Sequence, residues 1–324
     1  MLGRTDSSVA GPLGFGVGRS MRAASRVSQV LLWGVVAASL LALAGCNLGA
    51  ANFAGTKTMS VPTGGAASTL TESSFDKPAG ASKTISGVDL MPGVNAGVFD
   101  ISSANGTITV EPSTDGTFSV TAQIKATTQE RLDACELSVV PCSGGGLTIR
   151  ILWPGGVEYS QEGASITVKA PVRTGLTLKT SNGEITATAV TGAVRARTGN
   201  GKISIKDVGG AVDVRTSNGG VAVSGAAAAV TADTSNGFVT VTMADNAAGP
   251  CIISTSNGGV KLSIGPGMSG TATMKTSNGG ITLGGRPFEK QTVSKSSASV
   301  EFGVVGGPAS SIRTSNGTIE VTRR

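Results

Sequence analysis

The sequence contains no histidine, and this absence removes several kinds of chemistry at once. Ser-His-Asp and Cys-His catalysis need an imidazole base, and histidine is the commonest metal ligand. Aromatic residues are also rare, at 3% of 324 residues, and among Trp and Tyr only Trp153 and Tyr159 follow the N-terminal segment. That leaves little for an aromatic platform on which sugars could stack. We therefore predict a chain without metal or cofactor.

A strong net charge is also lacking once the N-terminus is set aside. The whole chain has 26 basic and 20 acidic residues, a formal net charge of +6. Residues 1–45 hold four of the basic residues and one acidic residue, so the remainder carries 22 − 19 = +3. This balance gives no reason to expect a nucleic-acid partner. The 48 glycines and abundant Thr, Ser and Val are typical of turn-dense β-structure.

The N-terminus has the pattern of an export signal. Arg19, Arg22 and Arg26 precede the uncharged apolar run 30–44, which ends in the sequence Leu-Ala-Gly-Cys at Cys46. This ending resembles the bacterial lipobox, in which the cysteine thiol receives diacylglycerol and becomes the mature N-terminus. A transmembrane anchor with an incidental cysteine is the alternative, but about 15 apolar residues fall short of the ~20 needed to span a bilayer.

The sequence thus predicts a lipoprotein signal peptide over residues 1–45 and lipidation of Cys46. Residues 46–76 are rich in Gly, Ala, Ser and Thr without apolar periodicity, which predicts a flexible tether. The remaining residues, 77–324, form the folded domain. We expect a membrane-anchored lipoprotein of the bacterial cell envelope that faces the periplasm or the cell exterior.

A four-residue word, Thr-Ser-Asn-Gly or a near copy, recurs along the second half of the chain. Its first residues are Thr180, Thr198, Thr216, Thr234, Thr255, Thr276 and Thr314. The steps are 18, 18, 18, 21, 21 and 38 residues, and we interpret Ser296-Ser297-Ala298 as a degenerate copy within the last step. A fixed period near 20 residues is typical of a stacked solenoid.

Aliphatic residues fill four positions of each repeat. Two and four residues before each Thr, and three and five after each Asn, stand mainly Val, Ile, Leu and Ala. Alternation with a period of two places both positions of a strand on one face. Each rung is then two short strands joined by an Asn-Gly corner. Such a rung buries too little apolar area to fold alone, so rungs must stack.

We predict an all-β fold, a parallel β-helix with rungs of about 18–21 residues. The corner asparagines Asn105, Asn182, Asn200, Asn218, Asn236, Asn257, Asn278 and Asn316 are expected to stack as a ladder. Antiparallel hairpins are the alternative, because Asn-Gly is also the strongest hairpin signal. Hairpins, however, would not require identical Thr and Ser beside each turn. The regular repeats span 175–324, after an irregular first part, 77–174, in which the solenoid begins near Asn105.

The cysteines other than Cys46 have separate explanations. Cys135 and Cys142 are near in sequence, and in an oxidising envelope a disulfide between them would stabilise the fold by about 2.5 kcal/mol. Two nearby thiols are the alternative. Cys251 stands in an aliphatic column and is expected to be buried and inert rather than a nucleophile.

Part of the chain resembles a known bacterial family. The segment Ala164-Ser165-Ile166-Thr167-Val168-Lys169-Ala170-Pro171, followed by Leu176-Thr177-Leu178-Lys179-Thr180-Ser181-Asn182-Gly183-Glu184-Ile185, is similar to the putative-adhesin family of envelope proteins, which have β-strand repeats and head-GIN-like domains. The resemblance covers about residues 87–324. It implies a β-helical, surface-associated domain of unknown function and supplies no catalytic residues.

Acidic residues give no clear catalytic pattern. They fall at different positions within the repeat and form no carboxylate column: Asp207, Asp213, Asp233, Asp245, Glu184, Glu289, Glu301 and Glu320. We therefore predict a non-enzymatic adhesion, scaffold or binding module. The alternative is a β-helical lyase or hydrolase acting on polysaccharide, and acidic and basic side chains clustered on one outer face would favour it.

One column of the repeat is enriched in basic residues. Immediately before each Thr, or its degenerate copy, stand Lys179, Arg197, Arg215, Asp233, Ser254, Lys275, Lys295 and Arg313. The simpler interpretation is that these side chains only keep the sheet solvated. The functional hypothesis is a basic stripe, made of the six Lys and Arg side chains, that binds an anionic envelope polymer such as lipopolysaccharide or a surface polysaccharide. Another envelope protein is a further expected partner.

The chain stops directly after a repeat, at Arg323 and Arg324. If that last rung ends the stack, its open edge can accept a partner strand or a second copy. The alternative is that the two arginines themselves guard the edge.

Overall fold

The computed structural model describes residues 81–86, 97–114, 118–142, 144–170, 175–304 and 306–324, with only the backbone of 81–86. The predicted signal peptide, Cys46 and the tether lie outside the described residues. The described part consists of 23 β-strands in two sheets, one short α-helix, α1 (Gln129–Asp133), and a 3₁₀ turn at Pro154–Gly156. Within these residues, no helix combines the length and apolar character needed to cross a membrane.

In chain order, the strands are β1 (Ala81–Ser86), β2 (Val98–Ser102), β3 (Ile108–Pro112), β4 (Ser119–Ala126), β5 (Glu136–Cys142), β6 (Gly146–Leu152), β7 (Gly163–Ala170), β8 (Gly175–Lys179), β9 (Ile185–Val190), β10 (Val194–Asn200), β11 (Ile203–Val208), β12 (Val212–Asn218), β13 (Val221–Ala226), β14 (Val230–Asn236), β15 (Val239–Met243), β16 (Cys251–Asn257), β17 (Val260–Ile264), β18 (Gly270–Asn278), β19 (Ile281–Gly285), β20 (Lys290–Val293), β21 (Ser297–Phe302), β22 (Ala309–Asn316) and β23 (Ile319–Arg323).

The strands alternate between two sheets. Sheet I has 12 strands in the order β20-β21-β18-β22-β16-β14-β12-β10-β8-β2-β6-β5, and contains the strand that precedes each corner. Sheet II has 11 strands in the order β1-β4-β7-β3-β9-β11-β13-β15-β17-β23-β19, and contains the strand that follows. A rung is therefore one strand of sheet I, a corner and one strand of sheet II.

Successive repeats lie directly over one another and run in the same direction. Val194 pairs with Val212, Thr198 with Thr216, and Asn200 with Asn218, each 18 residues apart. The same parallel register holds in sheet II between β11 and β13. The predicted parallel β-helix is confirmed, and the antiparallel hairpin alternative is wrong for the repeats.

The predicted aliphatic columns form the interior between the two sheets. In β10 to β17 every residue of these columns is buried, and Cys251 is fully enclosed among them. The two half-buried members are Ile281 and Leu283 of β19, which is the last strand of sheet II and has a neighbour on one side only. Apolar burial therefore depends on having a rung on both sides.

The order of the rungs along the stack differs from their order in the chain at both ends. The final rung, β22 and β23, lies between β16–β17 and β18–β19, and the first, β2 and β3, lies between β6–β7 and β8–β9. The expectation of an open edge at Arg323 and Arg324 is therefore wrong, because parallel strands flank β22 and β23 on both sides.

The 38-residue step between Thr276 and Thr314 contains no further rung within its described residues, which end at 304 and resume at 306. Residues of the degenerate copy belong instead to the hairpin β20–β21, whose strand β21 pairs antiparallel with β18. Ser297 thus lies beside Lys275 at the margin of sheet I and not above a corner. The interpretation of Ser296-Ser297-Ala298 as a degenerate copy of the repeat is therefore wrong.

Candidate functional site: the outer face of sheet I

The residues directly before the Thr of each corner, together with Ser102 before Ser103 in the first rung, form one outward column on sheet I, which we call the charged column. Each pairs with the equivalent residue of the next rung. In stack order the column is Ser102, Lys179, Arg197, Arg215, Asp233, Ser254, Arg313 and Lys275. Equivalent residues on adjacent strands are about 4.8 Å apart. Basic residues that recur at this position of the repeat therefore lie close enough in the fold to repel one another.

In the first half of the charged column, one carboxylate from the neighbouring column pairs with the arginines. Asp213 lies 3.3 Å from Arg195, 3.4 Å from Arg197 and 3.4 Å from Arg215, measured between carboxylate oxygen and guanidinium nitrogen. These side chains are partly exposed, so each pair adds little stability. Together, however, they relieve the repulsion between stacked arginines. Arg195 and this role of Asp213 were not recognised in the sequence, because the neighbouring column has no consistent charge.

Two further acids lie along the same half. The Asp233 carboxylate accepts a hydrogen bond of 2.5 Å from the Ser254 hydroxyl. Burial raises the pKa of Asp100, and the positive charges of Lys179 and Arg150 oppose that rise. Lys179 therefore also has an acid within electrostatic range.

The second half of the charged column differs. Lys275 and Arg313 pair directly across β18 and β22, both are exposed, and neither has an acid within 4 Å in the described part of the chain. They line a shallow open groove of about 620 Å³. Hydroxyl side chains supply the rest of its lining: Ser254, Thr255, Thr276, Ser277, Ser296, Ser297, Thr314 and Ser315. We call this feature the C-terminal groove.

Lys295 does not belong to the charged column. It lies in the turn between β20 and β21, where no rung exists, and its side chain is exposed. The turn flanks the C-terminal groove through Ser296 and Ser297. The basic stripe expected from the sequence is thus two separate features, an arginine group sharing Asp213 and a Lys275–Arg313 pair.

The corners form a second repeated array beside the charged column. From Asn182 onwards, each asparagine amide donates to the side-chain oxygen of the asparagine in the preceding rung of the stack, at 2.7–2.9 Å. In stack order the ladder is Asn105, Asn182, Asn200, Asn218, Asn236, Asn257, Asn316 and Asn278. At its first end, the Asn105 amide donates to the Glu162 carbonyl at 2.9 Å and to the Glu158 carboxylate.

Threonine and glycine of the word have structural roles. The buried Thr216 hydroxyl donates to the Gly201 carbonyl of the preceding rung at 3.0 Å, and the other six threonines make the equivalent bond. A Cβ at Gly219 would lie 2.0 Å from the Gly201 carbonyl oxygen, so only glycine allows the corners to approach this closely. The serine of the word has no such role. Its side chain is exposed at Ser181, Ser217, Ser235, Ser256, Ser277 and Ser315.

The structure excludes the proposed disulfide. Cys135 precedes β5 and Cys142 ends it, so an extended strand separates them by about 20 Å. A disulfide needs Cα atoms within about 7 Å. The Cys135 thiol instead contacts the Arg131 carbonyl at 3.1 Å. Sequence proximity was misleading because the intervening residues form a strand and not a loop.

Cys251 lies in the aliphatic interior. It is fully buried, and burial raises the pKa of its thiol to about 12. The thiolate that nucleophilic chemistry requires is therefore scarce at neutral pH.

The remaining predicted acids are dispersed. Four make ion pairs at separate places: Asp245 with Arg324, Glu289 with Arg323, Glu301 with Lys290, and Glu320 with Lys261. Asp207 and Glu184 stand apart from them on β11 and after a corner. Among the described residues, no three Cys, Asp or Glu side chains are grouped so that they could hold a metal ion.

A buried ion pair near the first end of the stack was not found from the sequence. Glu162 is 1% exposed and accepts two bonds of 2.7 Å from Arg131, along with bonds from Thr127 and the Tyr159 backbone. The Arg131 hydrogen bond is the main reason that the pKa of Glu162 falls to about 2. Arg131 also lies over the Tyr159 ring at 3.9 Å. No spacing in the sequence connects these residues.

Comparison with known proteins gives structural neighbours but no sequence relatives. No family model and no curated protein sequence matches the chain. A putative cell adhesion protein from Clostridium sporogenes ATCC 15579 is 10% identical with a TM-score of 0.32, over 75% of this chain and 100% of that one. A putative adhesin from Bacteroides fragilis NCTC 9343 is 15% identical with a TM-score of 0.39, over 75% of this chain and 98% of that one. The structural neighbours are thus bacterial proteins described as putative adhesins. The similarity is too weak to assign an activity or a ligand.

Proposed function

We propose that this protein is a lipid-anchored binding module of the bacterial cell envelope, with a non-enzymatic role in adhesion or scaffolding. Its outer sheet I face contacts an anionic envelope polymer. The observation that carries the proposal is the in-register stacking of the charged column. It aligns the cations and serines of one repeat position on one outer face, in two basic groups that Asp233 and Ser254 separate.

A row of this kind suits a polymer better than a compact ligand. Each rung presents one or two weak contacts, and contacts repeated at a fixed spacing add up along a chain molecule. Electrostatic attraction also raises the rate of encounter and is reduced by salt. The exposed serines and asparagines beside the column add hydrogen-bonding groups at the same spacing.

The envelope location in this proposal rests on the sequence. The arginine-bearing leader, the apolar run and the lipobox ending at Cys46 together predict export and lipidation. Metabolic labelling with a fatty acid should mark the wild-type protein, and Cys46→Ser should lose the label. Equal labelling of both proteins would reject lipidation at this residue.

Retention on an immobilised anionic polysaccharide tests the binding function. Full-length protein in detergent should be retained at low salt and released as the salt concentration rises, whereas neutral dextran should not retain it. Retention by both matrices, or by neither, would contradict the proposed function.

A polysaccharide-acting enzyme is the second candidate, and one observation favours it. Asp213 with Arg195, Arg197 and Arg215 is a cluster of one acid and three bases on an outer face. Polysaccharide lyases combine such groups, yet here the carboxylate is already paired with all three arginines. If the cluster is catalytic, incubation with polyuronates should give unsaturated products that Asp213→Asn abolishes. If the wild type gives no such products, the enzymatic alternative is rejected and binding remains the proposed function.

A further inference from the structure

We propose that the C-terminal groove is the phosphate-binding site of this face, and that Lys275 and Arg313 hold a phosphodiester group of the envelope polymer. The inference rests on the proposed function and identifies the chemical group that is recognised. Four observations support it: the unpaired charges, the hydroxyl groups around them, the fixed wall of the groove and the exchanged order of the rungs.

The charges at the groove are unlike those elsewhere in the charged column. Where Arg197 and Arg215 meet on adjacent strands, Asp213 lies against both. Where Lys275 and Arg313 meet, no carboxylate in the described residues lies within 4 Å of either. Like charges directly opposite on neighbouring strands destabilise a sheet. An anion bound between Lys275 and Arg313 would remove this repulsion.

The hydroxyls around this pair indicate which anion fits. The side chains of Ser277, Ser296 and Ser315 line the groove and make no hydrogen bond to other groups of the described chain. A carboxylate has two oxygens in one plane, which one arginine satisfies. A phosphodiester also has two anionic oxygens, but these and its two ester oxygens point in tetrahedral directions, so arginine, lysine and hydroxyl donors that are not coplanar can contact it together. The combination of one Arg, one Lys and several hydroxyls therefore favours phosphate over carboxylate.

One side of the groove is lined by the turn before β21, through Ser296 and Ser297. The turn before β21 is fixed internally, because the Ser297 backbone N–H donates to the Ser294 hydroxyl at 3.1 Å. It is also fixed to the sheet, because the Thr276 backbone N–H donates to the Ser296 carbonyl at 2.9 Å. This hairpin is the insertion that breaks the repeat, and insertions in solenoids often lie on the binding face. Lys295 stands in the same turn.

The exchanged rung order decides what lies beside the pair of charges. Lys275 and Arg313 would be neighbours in either order, but in chain order β18 would lie between β16 and β22. Because β22 is inserted between β16 and β18, the outer edge of β18 is free to pair with β21. The exchange therefore brings the turn before β21 beside Lys275, where it lines the groove.

The test compares two double variants that remove the same charge. Binding of full-length protein in detergent to poly(glycerol phosphate), polygalacturonate and neutral dextran is measured at low salt. Lys275→Gln with Arg313→Gln should weaken binding to poly(glycerol phosphate) about tenfold, as expected for the loss of two charge-assisted contacts. The matched control, Lys202→Gln with Lys206→Gln, removes two exposed lysines outside the charged column and should change it less than about threefold. Wild type should prefer poly(glycerol phosphate) to polygalacturonate.

A second readout is independent of the polymer. Inorganic phosphate should raise the melting temperature of the wild type and of the control variant, but not that of Lys275→Gln with Arg313→Gln. If both double variants lose binding to poly(glycerol phosphate) equally, the groove is not the phosphate-binding site, although the protein still binds the polymer. Preference for polygalacturonate would overturn phosphate as the ligand. Failure of wild type to bind either polymer would overturn this inference and the proposed function together.

Discussion

The middle of the β-helix and its two ends follow different rules. From β8 to β17 the rungs stack in chain order, the aliphatic columns are fully buried, and the corner bonds repeat without interruption. At both ends the rung order is exchanged, and antiparallel strands are added: β1, β4 and β5 at one end, β20 and β21 at the other. The repeat therefore accounts for the structure of the middle, whereas the structure of the ends depends on segments that depart from the repeat.

This difference has a physical reason. An interior rung has neighbours that bury its apolar side chains and hydrogen-bond its backbone groups. The short repeat sequence is therefore enough to hold it in place. A terminal rung has one side without a neighbour and must be covered by other elements. Because of the exchange, the first and the last rung along the chain each lie between two other rungs of the stack. The candidate phosphate site, the C-terminal groove, lies where the repeat is broken.

The largest expected effect comes from crowding a corner in the middle. Gly219→Ala would place a methyl group 2.0 Å from the Gly201 carbonyl oxygen, which belongs to backbone and cannot move aside. We expect a loss of about 3 to 5 kcal/mol in the free energy of unfolding, measured by denaturant titration. The control is Gly280→Ala in the rung at the end of the stack, where no atom lies within 4 Å of the new methyl group. Equal losses in the two variants would mean that the corners are not packed as described.

The next effect concerns the first end of the stack. Glu162→Gln breaks the buried pair with Arg131 and should cost about 3 kcal/mol near pH 7. Hydrogen exchange should show the loss in β4 and β7, while β10 to β15 keep their protection. Glu130→Gln, at an exposed position of α1, is the control. Faster exchange throughout the stack would show that this end is not a separate unit.

The same residue predicts a pH dependence. The pKa of Glu162 is about 2 in the folded protein, below its ordinary value of 4.5. Its stabilisation is therefore complete above about pH 4.5 and is lost as the pH falls towards 2. In Glu162→Gln this part of the acid destabilisation should disappear. An unchanged pH profile of unfolding would contradict the role of the pair.

The smallest effect comes from shortening the asparagine ladder. Asn218→Ala removes the bonds to both Asn200 and Asn236, whereas Asn278→Ala at the end removes only the bond to Asn316. These exposed bonds should contribute about 1 kcal/mol each at most, so the middle variant should lose about twice as much stability as the end variant. Thermal unfolding of the two variants measures the ratio. Equal losses would show that the ladder is not continuous.

Much of the fold could be predicted from the period and the alternation of residues. The word Thr-Ser-Asn-Gly predicts corners, and the aliphatic positions predict which face is buried, since both depend on neighbours within one rung. The relation of Cys135 to Cys142 could not be predicted from their spacing, because seven residues can form a turn or a strand. Nor could the contact between Glu162 and Arg131, which no local pattern encodes.

The candidate site shows the same limit. The basic residues of the charged column are visible in the sequence because they occupy one position of the repeat. The neighbouring position of the repeat, which holds their partner Asp213, is aspartate at Asp100 but threonine at Thr177 and arginine at Arg195, so the periodicity gives no indication of the pairing. The misassignment of Lys295 followed from reading Ser296-Ser297-Ala298 as a repeat, although β21 runs antiparallel to β18.

By itself, the sequence determined the parallel stack, its buried columns and its asparagine corners, because each depends on a residue pattern that every interior rung repeats. Only the tertiary structure decided the order of the rungs at the two ends and, with it, the position of the β20–β21 hairpin beside Lys275. The physical reason is that rungs of nearly identical sequence can stack on one another in any order. Which of them become neighbours is settled by how the ends are covered, and that is a property of the whole fold.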